Sequence, residues 1–501
     1  MPFSVTTPIY YVNSDPHLGH AYTTVAADVL ARHHRQRGEN VFFLTGTDEH
    51  GAKVQRAAEE AGLTPKEFCD RVSARFRDLV ARLNATNDFF IRTTDPEHEA
   101  RVQDFLVRLR DAGHLYEDTY AGLYCTGCEQ FYAESDLEQP GNICPLHKTP
   151  VEWLEEENTF FRLSAFTEKL LELYDRDPEY VVPRTRYNEA RSQIEAGLND
   201  LSVSRASVSW GVPLPWRPDQ TIYVWVDALL NYHTALEYGT GADVSTTFWP
   251  SIHLLGKDIL RLHCVLWPAL LLAAGYEPPK KLFVHGYLTS GDQKMSKSLG
   301  NVIDPLEVIA DLGADALRFY VLREVQWGQD GSVTRDALDR RYEGELANDL
   351  GNLVSRTTAM IARYRDGRVP QGETALESVH ERVAERFEAL DLTAGLEEIW
   401  TLVRAANRYV EDTAPWALAK SEEPEDARKL DNALYTLADA VRSLGVMLHA
   451  YIPDASDRIL AAVGAAGDTG WERAALGLTP AGTAVEQPPP LFPRLAASSS
   501  A

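Results

Sequence analysis

Near the N-terminus, short runs rich in β-branched and aromatic residues hand over repeatedly to helical patterns, and few folds accommodate that rhythm. The run "FSVTTPIYYV" reads as a strand, "HAYTTVAADVLARHHRQRG" as a helix closed by Gly38, and "NVFFLTG" as the next strand. "TPKE", Thr64 to Glu67, is a capping box with proline at the first helical position, opening an amphipathic helix that runs to about Leu83. Asp95-Pro96 starts a further helix in the same way. Strands alternating with helices pair in parallel, so the expected class is α/β with a Rossmann-type doubly wound parallel sheet.

The rhythm breaks between Tyr116 and Val208, where short strands, a cysteine-bearing loop and separate helices point to an insertion. It resumes in "TIYVWVDALLNYHTALEYG", "SIHLLGKDILRLHCVLWPALLLAAG" and "KLFVHGYLTSG". Beyond Thr334 the pattern is helical to about Tyr451, and from Pro480 the chain turns rich in Pro, Ala and Ser. The expected organisation is a first half-sheet in residues 1–115, a connective insertion in 116–211 and the second half-sheet in 212–290. A lysine-bearing loop and connecting region follow in 291–345, then an all-α helical bundle in 346–480 and a flexible tail in 481–501. A chain of 501 residues is expected to divide in this way, and no internal repeat is visible.

Composition narrows the partners. No apolar run approaches the roughly 20 residues that span a bilayer. The longest, "VLWPALLLAAGY", is broken by Pro268 and reads as a buried helix. The start "MPFSVTTPIYY" has no basic stretch ahead of an apolar one, so secretion is not expected. A net charge of -25 argues against a general nucleic-acid binder, since counterion release needs clustered Lys and Arg; neither a DNA nor a membrane partner is expected. RNA contact confined to one face is compatible with that charge. Arg density rises between Arg318 and Arg368, although acids are interleaved there.

Three of the five cysteines fall in "CTGC…CPLH": Cys125, Cys128 and Cys144, with His147 completing a second pair. Two residues between ligands let a tight turn aim both side chains at one tetrahedral ion. One structural Zn2+ per chain is therefore expected, in a zinc knuckle over 125–147 with four protein ligands and no open position. The competing reading is buried thiols beside a surface histidine, and the Gly/Pro-rich setting favours the metal. Cys69 and Cys264 lie in helical patterns and read as small buried apolar residues. The cysteine pattern suits a reducing cytoplasm.

Two further stretches gain meaning only together. "DPHLGH", Asp15 to His20, stands where the first strand turns into the first helix, and "GDQKMSKSLGN", Gly291 to Asn301, is a glycine-flanked polar loop with Lys294 and Lys297. A doubly wound sheet binds nucleotides beyond the carboxyl ends of its strands. A helix starting near Gly19 would aim free N–H groups and its positive dipole end at phosphate oxygens, with His17 and His20 as further donors. Gly19 would let a base or ribose pack on the backbone. Lys297 could then stabilise charge that builds in the transition state, a contribution of roughly 3–4 kcal/mol for one well-placed donor. Alone, either stretch is a solvated turn.

"HLGH" and "KMSKS", Lys294 to Ser298, in this order and in an α/β frame, resemble the two signatures of class I aminoacyl-tRNA synthetases. Within that class the chain is similar to the methionyl-tRNA synthetase family over most of 3–450. The likeness is carried by "TPIYYVNSDPHLGH", "TGTDEHG", "YVWVDALLNY", "GKDILRLHCVLWPALL" and "LFVHGYLTSGDQKMSKSLGN". The resemblance implies a cytoplasmic enzyme, expected to be monomeric, that forms methionyl-adenylate from methionine and Mg·ATP and passes methionine to tRNA(Met), initiator and elongator. It implies catalytic roles for His17, His20, Lys294 and Lys297. ATP would also meet Gly19, Gly256, Asp258, His285 and Gly286. Asp48 would bind the α-ammonium group with Arg205 supporting that carboxylate, and Ile9, Tyr11, Trp225, Ala228, Leu229, Tyr232, Leu262 and His263 would enclose the side chain. Such an aromatic-rich pocket suits a polarizable thioether. The helical part resembles an anticodon-binding bundle, with Asn352 and Arg356 on one helix face and Trp416 placed to stack on a base.

Three other readings stay open at this level: a class I synthetase for another amino acid, a binding-only protein on a decayed synthetase, and a nucleotidyltransferase that uses no tRNA. The intact "HLGH", "KMSKS" and Asp48 weigh against decay, and the helical part with Trp416 weighs against the transferase.

Overall fold

Parallel pairing begins with the first strand. Phe3–Thr6 lies between Val41–Asp48 and Ile252–Gly256, with Val5 opposite both Phe43 and Ile252. In the computed structural model, which describes residues 2–125, 130–132, 134–146, 148–289 and 303–495, this grows into a seven-stranded sheet. Phe89–Arg92 and Tyr10–Tyr11 pair with Val41–Asp48, while Lys281–His285 and then Val181–Val182 extend the other side, all in parallel. Chain order therefore reverses between Phe3–Thr6 and Ile252–Gly256, which is where a doubly wound sheet opens a crevice.

The local rules of the sequence act where they are strongest. Thr64 accepts the Glu67 N–H at 3.3 Å and Glu67 accepts the Thr64 N–H at 3.0 Å, so the capping box starts the helix Pro65–Arg82. Asp95 precedes the helix Pro96–Asp111 but does not cap it; its carboxylate turns back to accept the Arg92 N–H at 3.2 Å and the Tyr238 hydroxyl at 3.3 Å. The run expected as one N-terminal strand is two, Phe3–Thr6 and Tyr10–Tyr11, because Pro8 has no N–H for the ladder.

Strand pairing departs from the expected boundaries in two places. Val181–Val182, inside the expected insertion, joins the edge of the main sheet. Arg217–Ile222, expected to resume the parallel pattern, pairs antiparallel with Ser204–Arg205 and Pro213–Leu214. The insertion itself is built on the antiparallel ribbon of Leu115–Cys125 with Glu152–Phe161.

The helical region is continuous with the sheet layer rather than hung from it. One apolar core runs from Phe3 and Val5 through the helices Leu18–Gln36 and Ala314–Arg323 into Leu392–Thr413 and Pro424–Leu448. The segment expected as a flexible tail packs on this bundle as far as Leu495: Val485, Leu491 and Phe492 are buried. Its carbonyls are also engaged, Leu491 by Arg458 at 3.0 Å and Pro493 by the Tyr342 hydroxyl at 2.9 Å. Proline there prevents helix and strand without preventing burial.

Candidate active site

The turn "HLGH" closes on itself. His17 is the N-cap of the helix Leu18–Gln36, and its Nδ1 accepts the Gly19 N–H at 3.1 Å. His20, three residues on, returns the favour: its Nδ1 accepts the His17 N–H at 3.1 Å. The two imidazoles thus form a capping box in place of the usual hydroxyl and carboxylate. They stack with ring centres 3.7 Å apart, and His20 also meets Tyr10 and Phe76 edge-on. An Nδ1 that accepts carries no proton, so each neutral ring holds its hydrogen on Nε2, where it is a donor. Burial, and next the neighbouring His17, hold His20 well below the usual histidine range. A Cβ on Gly19 would lie 3.0 Å from His17 Cε1, so a side chain there would push that ring out of the cap.

This turn forms one wall of a cavity of about 670 Å³ at the carboxyl ends of Phe3–Thr6 and Ile252–Gly256. Its lining gathers His17, Gly19, His20, Gly256, Asp258, His285 and Gly286 along one side. The other side holds Ile9, Tyr11, Asp48, Trp225, Ala228, Leu229, Tyr232 and His263. Fifteen residues scattered from Ile9 to Gly286 in sequence therefore share a single space.

At the first side, His285 donates from Nδ1 to the Gly286 carbonyl at 2.8 Å and accepts the Thr23 hydroxyl on Nε2 at 2.8 Å. Burial pushes His285 down to about 4. A Cβ on Gly256 would come 2.6 Å from the Asp258 carboxylate oxygen, so a side chain there would displace Asp258. At the other side, a π-helical stretch, Leu262–Leu266, places His263 so that its Nδ1 donates to Ile259 at 3.0 Å and its Nε2 accepts the Tyr232 hydroxyl at 2.8 Å. Burial pushes His263 down to about 4 as well and raises Tyr232.

Other expected residues lie elsewhere. Leu262 is half-buried beside the cavity and is not in its lining. Arg205 lines a neighbouring cleft with Trp210 and Tyr223; its Nη1 donates to the Ser202 and Ser204 carbonyls at 3.0 and 2.7 Å and its guanidinium covers Tyr223 at 4.1 Å. Lys294, Lys297, Cys128 and His147 fall outside the described residues. Cys125 and Cys144 are both buried, and among the described residues neither joins an apolar cluster, whereas Cys69 and Cys264 do. Among the described residues no group of three potential metal ligands occurs. In the bundle, Arg356 lies 5.6 Å from the Trp416 ring and pairs with Glu411 at 2.8 Å; Asn352 is exposed one helical turn earlier. Trp416 is 38% exposed, so it is not a core residue.

The cavity also includes residues that the sequence does not single out. Thr23 follows Gly19 by one helical turn and fixes His285; Lys53 lies in the first turn of Ala52–Glu60, five residues beyond Asp48; Tyr287 follows Gly286. Helical spacing from Gly19 could have found Thr23, but only the fold brings in the others.

Comparison with known proteins agrees with this build. The family model described as class I tRNA synthetases (M) matches residues 3–149 and 135–358, and that for the anticodon-binding domain of methionyl tRNA ligase matches 367–501. The chain therefore belongs to the methionyl-tRNA synthetase family of class I synthetases. The methionine–tRNA ligase of Thermotoga maritima is 45% identical over 92% of this chain and 75% of its own. That of Streptomyces coelicolor is 44% identical over 98% and 96%. The Mycobacterium tuberculosis methionyl-tRNA synthetase in complex with methionyl-adenylate superposes with a TM-score of 0.94 at 41% identity, covering 98% of this chain and all of that one. Its apo form gives 0.87 at 37% identity.

The buried histidines set a pH dependence. For His20, His253, His263 and His285 the folded value lies below the unfolded one near 6.5, with burial as the first cause. Their contribution to stability is complete above that value and is lost as pH falls from about 6.5 towards 4. Denaturant midpoints measured over this range should fall with acidification, and less steeply in His263→Gln. Equal slopes would show that His263 is protonated in the folded protein.

Proposed function

We propose that this chain joins methionine to tRNA(Met) in two steps. The methionine carboxylate attacks the α-phosphorus of Mg·ATP, the bond to pyrophosphate breaks, and methionyl-adenylate forms. A ribose hydroxyl of the terminal adenosine then attacks the carbonyl, and AMP leaves. The observation that carries the reading is the histidine-capped helix start at the switch point of the sheet, opening into a cavity whose far side is aromatic and contains Asp48.

Each part of the cavity has a task on this reading. The Nε2–H groups of His17 and His20 and the first helical N–H groups face the phosphates, where preorganised donors act most strongly. Gly19, Gly256, Asp258, His285 and Gly286 border the nucleoside, and Lys294 and Lys297 approach the phosphates from their loop. Asp48 takes the α-ammonium. Ile9, Tyr11, Trp225, Ala228, Leu229 and Leu262 provide the apolar surround. Tyr232 and His263 are already bonded to each other and to Ile259, so the wall makes no polar demand that a thioether would leave unmet. Arg205 supports the Asp48 carboxylate. No side chain needs to become a covalent intermediate; placement and charge stabilisation suffice.

Amino-acid-dependent exchange of pyrophosphate into ATP tests this without tRNA. Exchange with methionine alone is expected, and exchange with another amino acid would keep the class and overturn the pocket. Lys297→Ala should lower the rate about 10²–10³-fold with little change in methionine affinity. An unchanged rate would remove Lys297 from the chemistry.

Asn352, Arg356 and Trp416 form the anticodon contact on this reading. The exposed indole, backed by a guanidinium, is a stacking face worth about 1–3 kcal/mol per base. Trp416→Ala is therefore expected to spare pyrophosphate exchange and to impair tRNA charging. Equal loss of both would mark Trp416 as a structural residue.

Zinc fits the insertion loop. Cys125 and Cys144, buried and in no apolar cluster of the described residues, are in the right setting for thiolate ligands, and with Cys128 and His147 they would hold the ion. When bound it supplies a structural cross-link and no catalysis. Metal analysis of the purified chain should give one zinc per molecule; a value near zero would remove the site. The enzyme works in the cytoplasm as a monomer on this reading, and among the described residues no helix is long and apolar enough to cross a membrane.

A further inference from the structure

Three consecutive polar residues leave the end of Val41–Asp48 in three directions. Asp48 faces the cavity. Glu49, buried, is grasped by Arg92 through two N–H···O bonds of 2.7 and 2.8 Å and accepts the Thr47 hydroxyl at 2.7 Å. His50, also buried, donates from Nδ1 to Asp227 at 2.7 Å. The second oxygen of Asp227 accepts Nε2–H of His98 at 2.9 Å, and His98 Nδ1 accepts the Thr234 hydroxyl at 2.7 Å. Asp227 and His98 have no more than 1% of their surface in water, and neither lines the cavity.

The carboxylate in this chain sits on the helix Val224–Tyr238, which carries Trp225, Ala228, Leu229 and Tyr232. The start of that helix has no side-chain cap, so Asp227 is the polar anchor of its first turn. A buried carboxylate between two imidazoles costs desolvation that apolar residues would not. What it supplies in return is direction: apolar contacts let a helix slide, whereas two charge-assisted bonds at fixed angles do not. Burial opposes a charge on His50, yet Asp227 and Glu99 hold it raised to about 10, so the bridge is ionic.

We infer that Asp227, clamped between His50 and His98, is a positioning residue that fixes the separation between Asp48 and the apolar wall of the cavity. That separation sets the length of the amino-acid side chain the site accepts. The inference rests on the reading of Asp48 and this wall as the amino-acid site.

The test is steady-state pyrophosphate exchange by the full chain carrying Asp227→Asn or His50→Gln. The expected result is a KM for methionine raised about ten- to a hundredfold, with the KM for ATP within about twofold of its original value. Preference for methionine over its shorter and longer thioether homologues should narrow. His98→Gln places an amide N–H where Nε2–H stood and so retains a donor towards Asp227, whereas His50→Gln loses both the charge and the Nδ1 donor position; His98→Gln should therefore keep the original KM. A variant that is merely destabilised loses active molecules, so kcat falls while both KM values stay; that pattern would overturn the inference. If Asp227→Asn is unfolded at the assay temperature, His50→Gln carries the test alone. Exchange of the unaltered chain with a different amino acid would remove the methionine reading instead, and the clamp would then be judged on the KM for that amino acid.

Discussion

Asp28 has no surface in water, and its charge fixes the element on which the site is built. Burial alone would push its carboxyl up, but Arg318 and Arg32 hold it below the usual range. Arg32 pairs with it at 2.8 Å and Arg318 at 2.7 Å, and the Thr86 N–H and hydroxyl donate at 2.7 and 2.6 Å. Arg318 goes on to the Tyr451 and Ala450 carbonyls, both at 2.8 Å. One carboxylate thus joins the first helix, the loop after Pro65–Arg82, the helix Ala314–Arg323 and the end of the bundle. Removing one partner of such a pair strands the other in low dielectric, so the arrangement is held as a whole. The helix it fixes has 19 residues, about 28 Å at 1.5 Å per residue. Its first turn is the histidine cap. Its last turns touch the bundle, where Gln36 donates to Val446 and Thr469 at 2.8 Å and His33 stacks on Phe387 at 3.8 Å. The proposed chemical end and the proposed anticodon bundle therefore meet on one rigid rod.

The histidine cap shows why imidazole suits this turn. A serine or aspartate cap would satisfy the helix N–H groups and have nothing further to offer. Each histidine satisfies one N–H through Nδ1 and still presents Nε2–H to the cavity. The rings stack at 3.7 Å, and burial holds His20 well below the usual histidine range, so the stack does not set two charges face to face. On the proposed reading, positive charge for the phosphate chemistry comes from Lys294 and Lys297.

Local signals were legible in the sequence because their causes are local. The capping box at Thr64, the helix running to Gln36 before Gly38, and the histidine turn each depend on residues within four positions. Asp95 misleads because a competing local bond, from Arg92 N–H, takes its carboxylate first. The pairing of Val181–Val182 depends on Leu282 and Phe283, far beyond any window in the sequence, whereas Arg217–Ile222 folds back on its near neighbours Pro213–Leu214 and Ser204–Arg205. The C-terminal segment misleads for another reason: a proline-rich composition reports missing regular structure, and burial of Leu491 and Phe492 requires none. In the site, the wall on Val224–Tyr238 was legible only through the family resemblance; Thr23 lies one helical turn from Gly19, whereas the roles of Lys53 and Tyr287 arise only when separate strands end at one cavity. The His50–Asp227–His98 bridge joins three elements and has no sequence signal at all.

Net charge would seem to set this chain against its proposed substrates, since -25 must meet a nucleotide and an RNA. The resolution is distance. At physiological salt the Debye length is about 8 Å, so exposed acids elsewhere are screened from the cavity. Many arginines are already spent on those acids: Arg323 on Glu345 and Glu397, Arg341 on Glu324 and Glu345, Arg382 on Glu398. Each such pair removes an arginine from the positive surface that would attract nucleic acid non-specifically. On the proposed reading, recognition falls to features that do not depend on net charge: a helix start with donors for phosphate, and an exposed indole beside a guanidinium for a base. A protein that must select one tRNA among many similar polyanions gains from this division, because attraction common to all of them is suppressed while contacts particular to one are kept.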